Sequence, residues 1–198
     1  MNYARKNHNI LFIESKNEII VCSGNNNLTC EKINLNNPTH WDLLPNLNSI
    51  RMNGTFFSIK DKYIYLIGGF DTQSVTYMKG YELLDYKEKK TWNYYDTNIN
   101  FKSTMGVINL YNKVIFFGGY NGEKILPKNL IEVTFENNQI HLINEKKNFL
   151  EKGIVLYHSQ MLYNFDKKYL GYDKIGSLIE FDVDTEKVNI HNKHLKNL

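Results

Sequence analysis

Residues 62–71 read KYIYLIGGFD, and this stretch decides the fold class. Tyr63 to Ile67 is an unbroken β-branched and aromatic run, which suits a strand covered on both faces. Two glycines, Gly68 and Gly69, end it. Such a pair marks a place where no side chain fits, or where the backbone needs a positive φ. An aromatic and a carboxylate, Phe70 and Asp71, follow. The unit returns at 113–121 as KVIFFGGYN, with Gly118 and Gly119 in the same places, 118 − 68 = 50 residues on.

Weaker copies flank these two. Residues 18–24, EIIVCSG, have Ser23 in the first glycine position and Gly24 in the second, 68 − 23 = 45 residues earlier. Residues 161–166, MLYNFD, match LIGGFD at 66–71 with an offset of 95 and neither glycine. Trp41 precedes Arg51 by ten residues, and Trp92 precedes Lys102 by ten. Each basic residue opens a strand-like run, at 55–59 and 106–110, and Arg5 stands in the same relation to 10–13. After each glycine site comes a polar loop and then a period-two segment, at 31–35, 81–86, 130–135 and 177–183, as for strands with one face exposed. A last short strand is expected near Trp41, Trp92, Ile140 and Val188. Each unit of about 45–50 residues therefore reads as four short strands. Pro38, Pro45 and Pro127 all fall in connecting segments, as strands require.

A strand, Gly-Gly, a loop, a Tyr-led strand and a Trp, on a period near 50, resemble the kelch repeat, whose units are blades of a β-propeller. The marks are Arg51, Gly68, Gly69, Tyr81 and Trp92 in the second unit, Lys102, Gly118 and Gly119 in the third, and Gly24 and Trp41 in the first. The resemblance implies an all-β, kelch-type β-propeller of about four blades of four antiparallel strands. These would run near 5–50, 51–101, 102–147 and 148–190, with a polar tail at 191–198. Because kelch rings commonly hold six blades, a partial or open propeller is expected rather than a full ring. A four-bladed ring and a truncated piece of a larger protein are the alternatives. An open arc would expose a sheet edge and favour self-association. Trp41 and Trp92 are expected to pack between blades, and Arg51 to contact neighbouring backbone.

Composition narrows function. Lys+Arg is 24 against Asp+Glu 21, a net charge of +3, and the lysines are scattered. That balance argues against nucleic acid or an anionic membrane as partner. Two cysteines, Cys22 and Cys30, make no disulfide framework and no Cys-x-x-Cys pair. Cys22 reads as a buried strand residue and Cys30 as a loop residue. The apolar run near the amino terminus is too short for a signal peptide, and no run of 18 apolar residues occurs. A reduced, cytoplasmic setting is expected. His191 and His194 sit in a lysine- and asparagine-rich tail and are too few for a metal site. Kelch-like folds include copper radical oxidases and sugar-acid epimerases, but neither cysteine has a histidine in repeat register, and no phosphate loop or nucleophile elbow appears. No catalytic residue, cofactor or metal is expected.

The resemblance then implies a non-enzymatic protein–protein interaction module, an adaptor or scaffold whose propeller loops hold another protein. The alternatives are a small-molecule or sugar-handling enzyme and a fragment. The loops after the glycine sites carry the candidate contacts: Asn25 and Asn26; Phe70, Asp71 and Gln73; Tyr120, Asn121 and Glu123; Phe165, Asp166 and Lys167. They mix aromatic anchors with polar groups, as recognition surfaces do. The competing reading is that each aromatic packs on its own blade and each Asp or Asn closes a turn.

Overall fold

A computed structural model of the chain describes residues 1–88, 90–110, 113–122, 127–150, 152–156, 162–164, 167–173 and 176–191. Among them the strands form four four-stranded antiparallel sheets and one two-stranded hairpin. One short 3₁₀ turn, Glu14–Lys16, is the helical content described. Two compact units divide the chain: residues 1–103 with 135–141, and residues 104–134 with 142–198.

The first unit holds two sheets. One is a meander of β1 (Asn9–Ile13), β2 (Glu18–Cys22), β3 (Cys30–Asn34) and β4 (Asp42–Leu44). The other runs β5 (Thr55–Ile59), β6 (Tyr63–Ile67), β9 (Tyr81–Asp85) and β10 (Trp92–Tyr95). Between β6 and β9 the chain makes a small hairpin, β7 (Phe70–Asp71) with β8 (Thr76–Tyr77). The two sheets share one core: Leu11, Ile13 and Ile20 of the first meet Phe56, Ile64, Leu66 and Leu84 of the second, with Trp92 packed among them. Removing each such side chain from water contributes about 1.5–3 kcal/mol. Trp92 also donates its indole N–H to Pro45 O at 3.0 Å. Trp41 is only half-buried.

An aromatic cluster closes the inner part of this unit. Phe57 stacks on Tyr65 at 5.4 Å, Phe135 sits 4.7 Å from Tyr65, and Tyr81 stacks on Tyr95 at 5.2 Å. Burial, then the neighbouring Tyr81, holds the Tyr65 phenol well above the usual tyrosine range. Tyr81, the first residue of β9, accepts the Ile140 N–H and donates to Asn138 O, each at 3.3 Å.

The second unit contains β11 (Ser103–Asn109), β12 (Val114–Tyr120), β13 (Leu130–Glu136) and β14 (Gln139–Lys146), apart from the residues counted with the first. It also contains β15 (Leu162–Asn164), β16 (Lys168–Tyr172), β17 (Leu178–Asp182) and β18 (Lys187–His191). Its core joins Ile108, Ile115, Phe117 and Leu130 to Ile154, Leu156, Ile179 and Phe181. Four charges bind the sheets at one side. Lys113 Nζ lies 2.6 Å from Glu186 and 3.3 Å from Glu132, and Lys146 Nζ lies 3.2 Å and 3.5 Å from the same two.

Four expectations need correction. The third strands β9 and β13 are buried on both faces over most of their length, because the ion-paired Glu82 and Glu132 are buried along with the apolar residues around them. Cys30 opens β3 rather than lying on a loop, and it is disulfide-bonded to Cys22. The two cysteines are directly opposed in the β2–β3 ladder with Cα atoms 4.1 Å apart, so pairing register brings them together where sequence spacing gave no hint. The last strand of the third sheet is not short: β14 has eight residues. Finally, the described part of MLYNFD, residues 162–164, does not belong to a second strand. Residues 162–164 are the first strand of the fourth sheet, and the second is β16, whose KYLGYD is the true counterpart of KYIYLIGG.

Candidate functional site

The glycine sites share one backbone geometry. Ser23-Gly24, Gly68-Gly69 and Gly118-Gly119 have φ values of 60° and 120°, 62° and 94°, and 67° and 98°. Both reasons for glycine apply. A Cβ on Gly68 would stand 2.6 Å from Lys102 O, and one on Gly118 would stand 2.5 Å from Ile154 O. Ser23 adopts the same left-handed conformation, and its Oγ accepts the Arg51 N–H at 2.9 Å. In each sheet the N–H of the first site residue donates to the residue just before the third strand: Ser23 to Thr29, Gly68 to Gly80, Gly118 to Asn129. Asp173 N–H donates to Ser177 O in the same way, which assigns the fourth site to Asp173, at the end of β16.

In the first unit, two of the loops after these sites come side by side. Asn25 N–H donates to Lys6 O, and Asn25 Oδ1 accepts from Asn7 Nδ2. Asn26, itself left-handed, accepts the Thr72 hydroxyl on Oδ1 at 2.7 Å. Phe70 is tied to Met52 by two backbone bonds of 2.9 Å and packs its ring 5.1 Å from Tyr77. Asp71 Oδ1 accepts the Gln73 N–H at 2.8 Å, and its Oδ2 accepts the Ser74 hydroxyl at 2.8 Å. Burial pushes the Asp71 carboxyl up, but these hydrogen bonds outweigh it and hold the group below the usual range. Asp71 therefore closes a turn, and Gln73, Ser74 and Val75 form the exposed tip, Val75 at 72% exposure. Asn25, Asn26, Asp71 and Gln73 thus converge around the Asn26–Thr72 link, with Phe70 half-buried beneath.

The remaining candidates are placed differently. Tyr120 ends β12 with an exposed ring, and Asn121 follows it half-buried. Lys167 is exposed and precedes β16, so it lies in the β15–β16 connection, at the opposite strand end from the Asp173 site. Its Nζ meets Asp184 at 3.2 Å. The hydrophobic pattern of MLYNFD imitates LIGGFD, and that imitation placed the fourth loop one strand too early. Glu123, Phe165 and Asp166 lie outside the described residues.

Beneath the first unit's loops sit two buried latches. Arg51 donates from Nε to Glu82 Oε1 at 3.0 Å and from Nη1 to Gly68 O at 2.8 Å. Glu82 also accepts the N–H groups of Asn48 and Ser49, while Asn48 Nδ2 reaches Trp92 O. The first sheet repeats the arrangement: Arg5 holds Glu31, Ser23 O and Thr29 O, and Asn2 Nδ2 reaches Trp41 O. Burial pushes Glu31 up, but the Arg5 hydrogen bond and the Asn2 N–H outweigh it and keep the carboxyl below its usual range. The latches differ at Nη2. Arg5 Nη2 donates to Glu31 Oε2 at 2.8 Å and to the Thr29 hydroxyl at 2.6 Å, whereas Arg51 meets Glu82 through Nε, Gly80 stands in the place of Thr29, and Arg51 Nη2 has no hydrogen-bond partner. The Arg51 guanidinium lies 5.7 Å from the centre of the Tyr94 ring instead, a cation–π contact.

The acidic partners escape a reading that follows Gly, Trp and Arg, yet they carry a signal. Glu31, Glu82, Glu132 and Glu180 recur at intervals of 82 − 31 = 51, 132 − 82 = 50 and 180 − 132 = 48. Glu132 is held by Lys113 and Lys146, and Glu180 by Lys168, Asn189 and His191. Lys102 is buried directly before β11.

Among the described residues no three His, Cys, Asp or Glu side chains gather as a metal site. His40 Nε2 and Asp42 Oδ1 stand 3.1 Å apart at the surface, 68% and 49% exposed. No described helix is long and apolar enough to cross a membrane.

Four four-stranded antiparallel sheets, three of them turning at a left-handed site after the second strand, define an all-β protein of the β-propeller class. No protein-family model matches the chain, and no curated protein matches it.

Proposed function

We propose that this is a kelch-repeat propeller acting as a non-enzymatic adaptor or scaffold, which holds another protein on the loops after its glycine sites. One observation carries the reading. The Asn26–Thr72 hydrogen bond joins loops from two sheets into one exposed polar surface, while the buried Arg5–Glu31 and Arg51–Glu82 latches fix the backbone beneath it. A rigid base under exposed Asn, Gln and Val side chains limits the ordering cost of binding. Self-association to complete a propeller belongs to the same reading. A cytoplasmic setting fits the lack of a described membrane-crossing helix but competes with the bonded Cys22–Cys30 pair, since such bonds persist in oxidising compartments.

The test is cross-linking of tagged protein in extract from its native source. A triple variant, Asn26→Ala, Gln73→Ala and Val75→Asp, removes tip groups without touching the latches. A partner retained by the wild type and lost by the folded variant supports the reading. An identical set of captured proteins from both would defeat it.

A further inference from the structure

Strand β14 differs from the other outer strands. β4 has three residues, β10 four and β18 five, but β14 has eight. Natural sheets protect their edges by keeping outer strands short, charged or covered. β14 contains no proline, and no described strand pairs with its outer side. Leu142 and Ile143 are 50% and 53% exposed. Consecutive strand residues point to opposite faces, so the edge presents an aliphatic side chain to solvent on both.

The turn before β14 determines which backbone groups face outward. Asn137 and Asn138 form a two-residue connection with φ of 49° and 65°, the signature of a type I′ turn, which places Glu136 opposite Gln139 in a hydrogen-bonded pair. Alternation along an antiparallel ladder then turns the N–H and C=O of Ile140, Leu142, Asn144 and Lys146 away from β13. The Ile140 N–H confirms the direction, since it leaves the sheet to reach the Tyr81 hydroxyl.

We propose that β14 pairs antiparallel with β14 of a second copy of this chain, about a two-fold axis through Ile143. In that register Leu142 faces the partner copy's Asn144, and two such pairs supply four backbone hydrogen bonds from groups that already point outward. On one face Ile143 meets Ile143. Beside it His141 meets Glu145 twice, imidazole against carboxylate. Asn129 Nδ2 donates to Glu145 Oε1 at 2.8 Å, so in this pairing the partner copy's histidine takes Oε2. Antiparallel registers centred on Leu142 or Asn144 lack the His141–Glu145 match, and parallel pairing sets Glu145 against Glu145 and Lys146 against Lys146. The sequence QIHLINEK is therefore complementary to itself in one register. Two short strands bury less than the roughly 1,200 Å² of a standard interface, which places the dimer among weak, transient contacts.

Sedimentation velocity over micromolar to submillimolar concentrations tests this. The wild type is expected to show a concentration-dependent dimer. Ile143→Lys sets two like charges at the axis, and Asn144→Pro removes an outward N–H that the internal ladder does not use. Each is expected to weaken dimerisation at least tenfold while circular dichroism stays unchanged. Glu145→Lys is expected to weaken it as well, and His141→Glu with Glu145→Lys to restore it. A wild type that stays monomeric throughout overturns the proposal. So does a dimer that persists in both folded Ile143→Lys and Asn144→Pro proteins, which would place the contact on another surface.

Discussion

Arg51 Nε lies 3.0 Å from Glu82 Oε1, and both side chains are fully buried. The pair joins the start of the second sheet to its third strand, and the same guanidinium holds the carbonyl of Gly68. One ion pair thus positions the site at which the loops begin.

Removing one partner of such a pair strands a buried charge. Arg51→Met is expected to cost about 3–5 kcal/mol, read as a lowered urea midpoint. Adding Glu82→Leu is expected to recover part of that loss, since the stranded carboxylate goes with it. A double variant as unstable as the sum of the two single ones would contradict this account.

The glycine sites make a prediction that inverts the usual ranking of glycine and alanine. Gly68→Ala forces a Cβ to 2.6 Å from Lys102 O at φ of 62° and is expected to cost at least about 2 kcal/mol. Ser23 already tolerates that φ. Ser23→Ala loses the bond to the Arg51 N–H and keeps the backbone strain, for about 1–3 kcal/mol. Ser23→Gly loses the same bond but relaxes the backbone, leaving a net change within about 1 kcal/mol. Thermal melts of the three variants check the order.

Cys22 and Cys30 should not react with thiol reagents in denatured, unreduced protein, and two thiols should appear after reduction. The bond closes a short loop, with a sequence separation of 8. Replacing both cysteines by serine is expected to cost roughly 2–3 kcal/mol. Alkylation in intact cells distinguishes compartments: thiols blocked before lysis would mean that the bond is absent where the protein works.

The charge cluster of the second unit makes stability depend on pH. Hydrogen bonding from Lys113 holds Glu186 below the usual carboxylate range, against burial and with help from Lys146. Its contribution is present above the unfolded carboxylate pKa and lost as pH falls through the lower folded value. For Lys113 burial pushes down, but hydrogen bonds to Glu186 and Glu132 outweigh it and raise the amine above its usual range. That contribution is present below the unfolded amine pKa and lost as pH rises through the higher folded value. Denaturant midpoints across pH should fall at both ends, and Glu186→Gln should flatten both limbs.

Strand positions were legible because side-chain periodicity and glycine punctuation are local. The reading of 55–59 and 63–67 matches β5 and β6 residue for residue. What depended on partners distant in sequence was not. Glu82 looks like any strand-face acid until Arg51, 31 residues away, is folded against it. The Cys22–Cys30 bond requires knowing the register of β2 with β3. The fourth sheet was misread because MLYNFD and KYLGYD carry the same apolar rhythm, and without glycines that rhythm cannot say which strand it belongs to. In the loops, Asp71 closes a turn, and nothing local in the sequence marks Val75, whose exposure depends on the β7–β8 hairpin.

Phe135, Asn138 and Ile140 belong to the first compact unit although the chain leaves that unit at residue 103. The period of the sequence is therefore not the period of folding. Cutting at 103, where the repeat invites a boundary, would leave Phe57 and Tyr65 without the ring that covers them and Tyr81 without both of its hydroxyl partners. Ribosomal synthesis faces the same gap: the first two sheets emerge complete in sequence but incomplete in structure, and wait for some forty further residues before their last contacts exist.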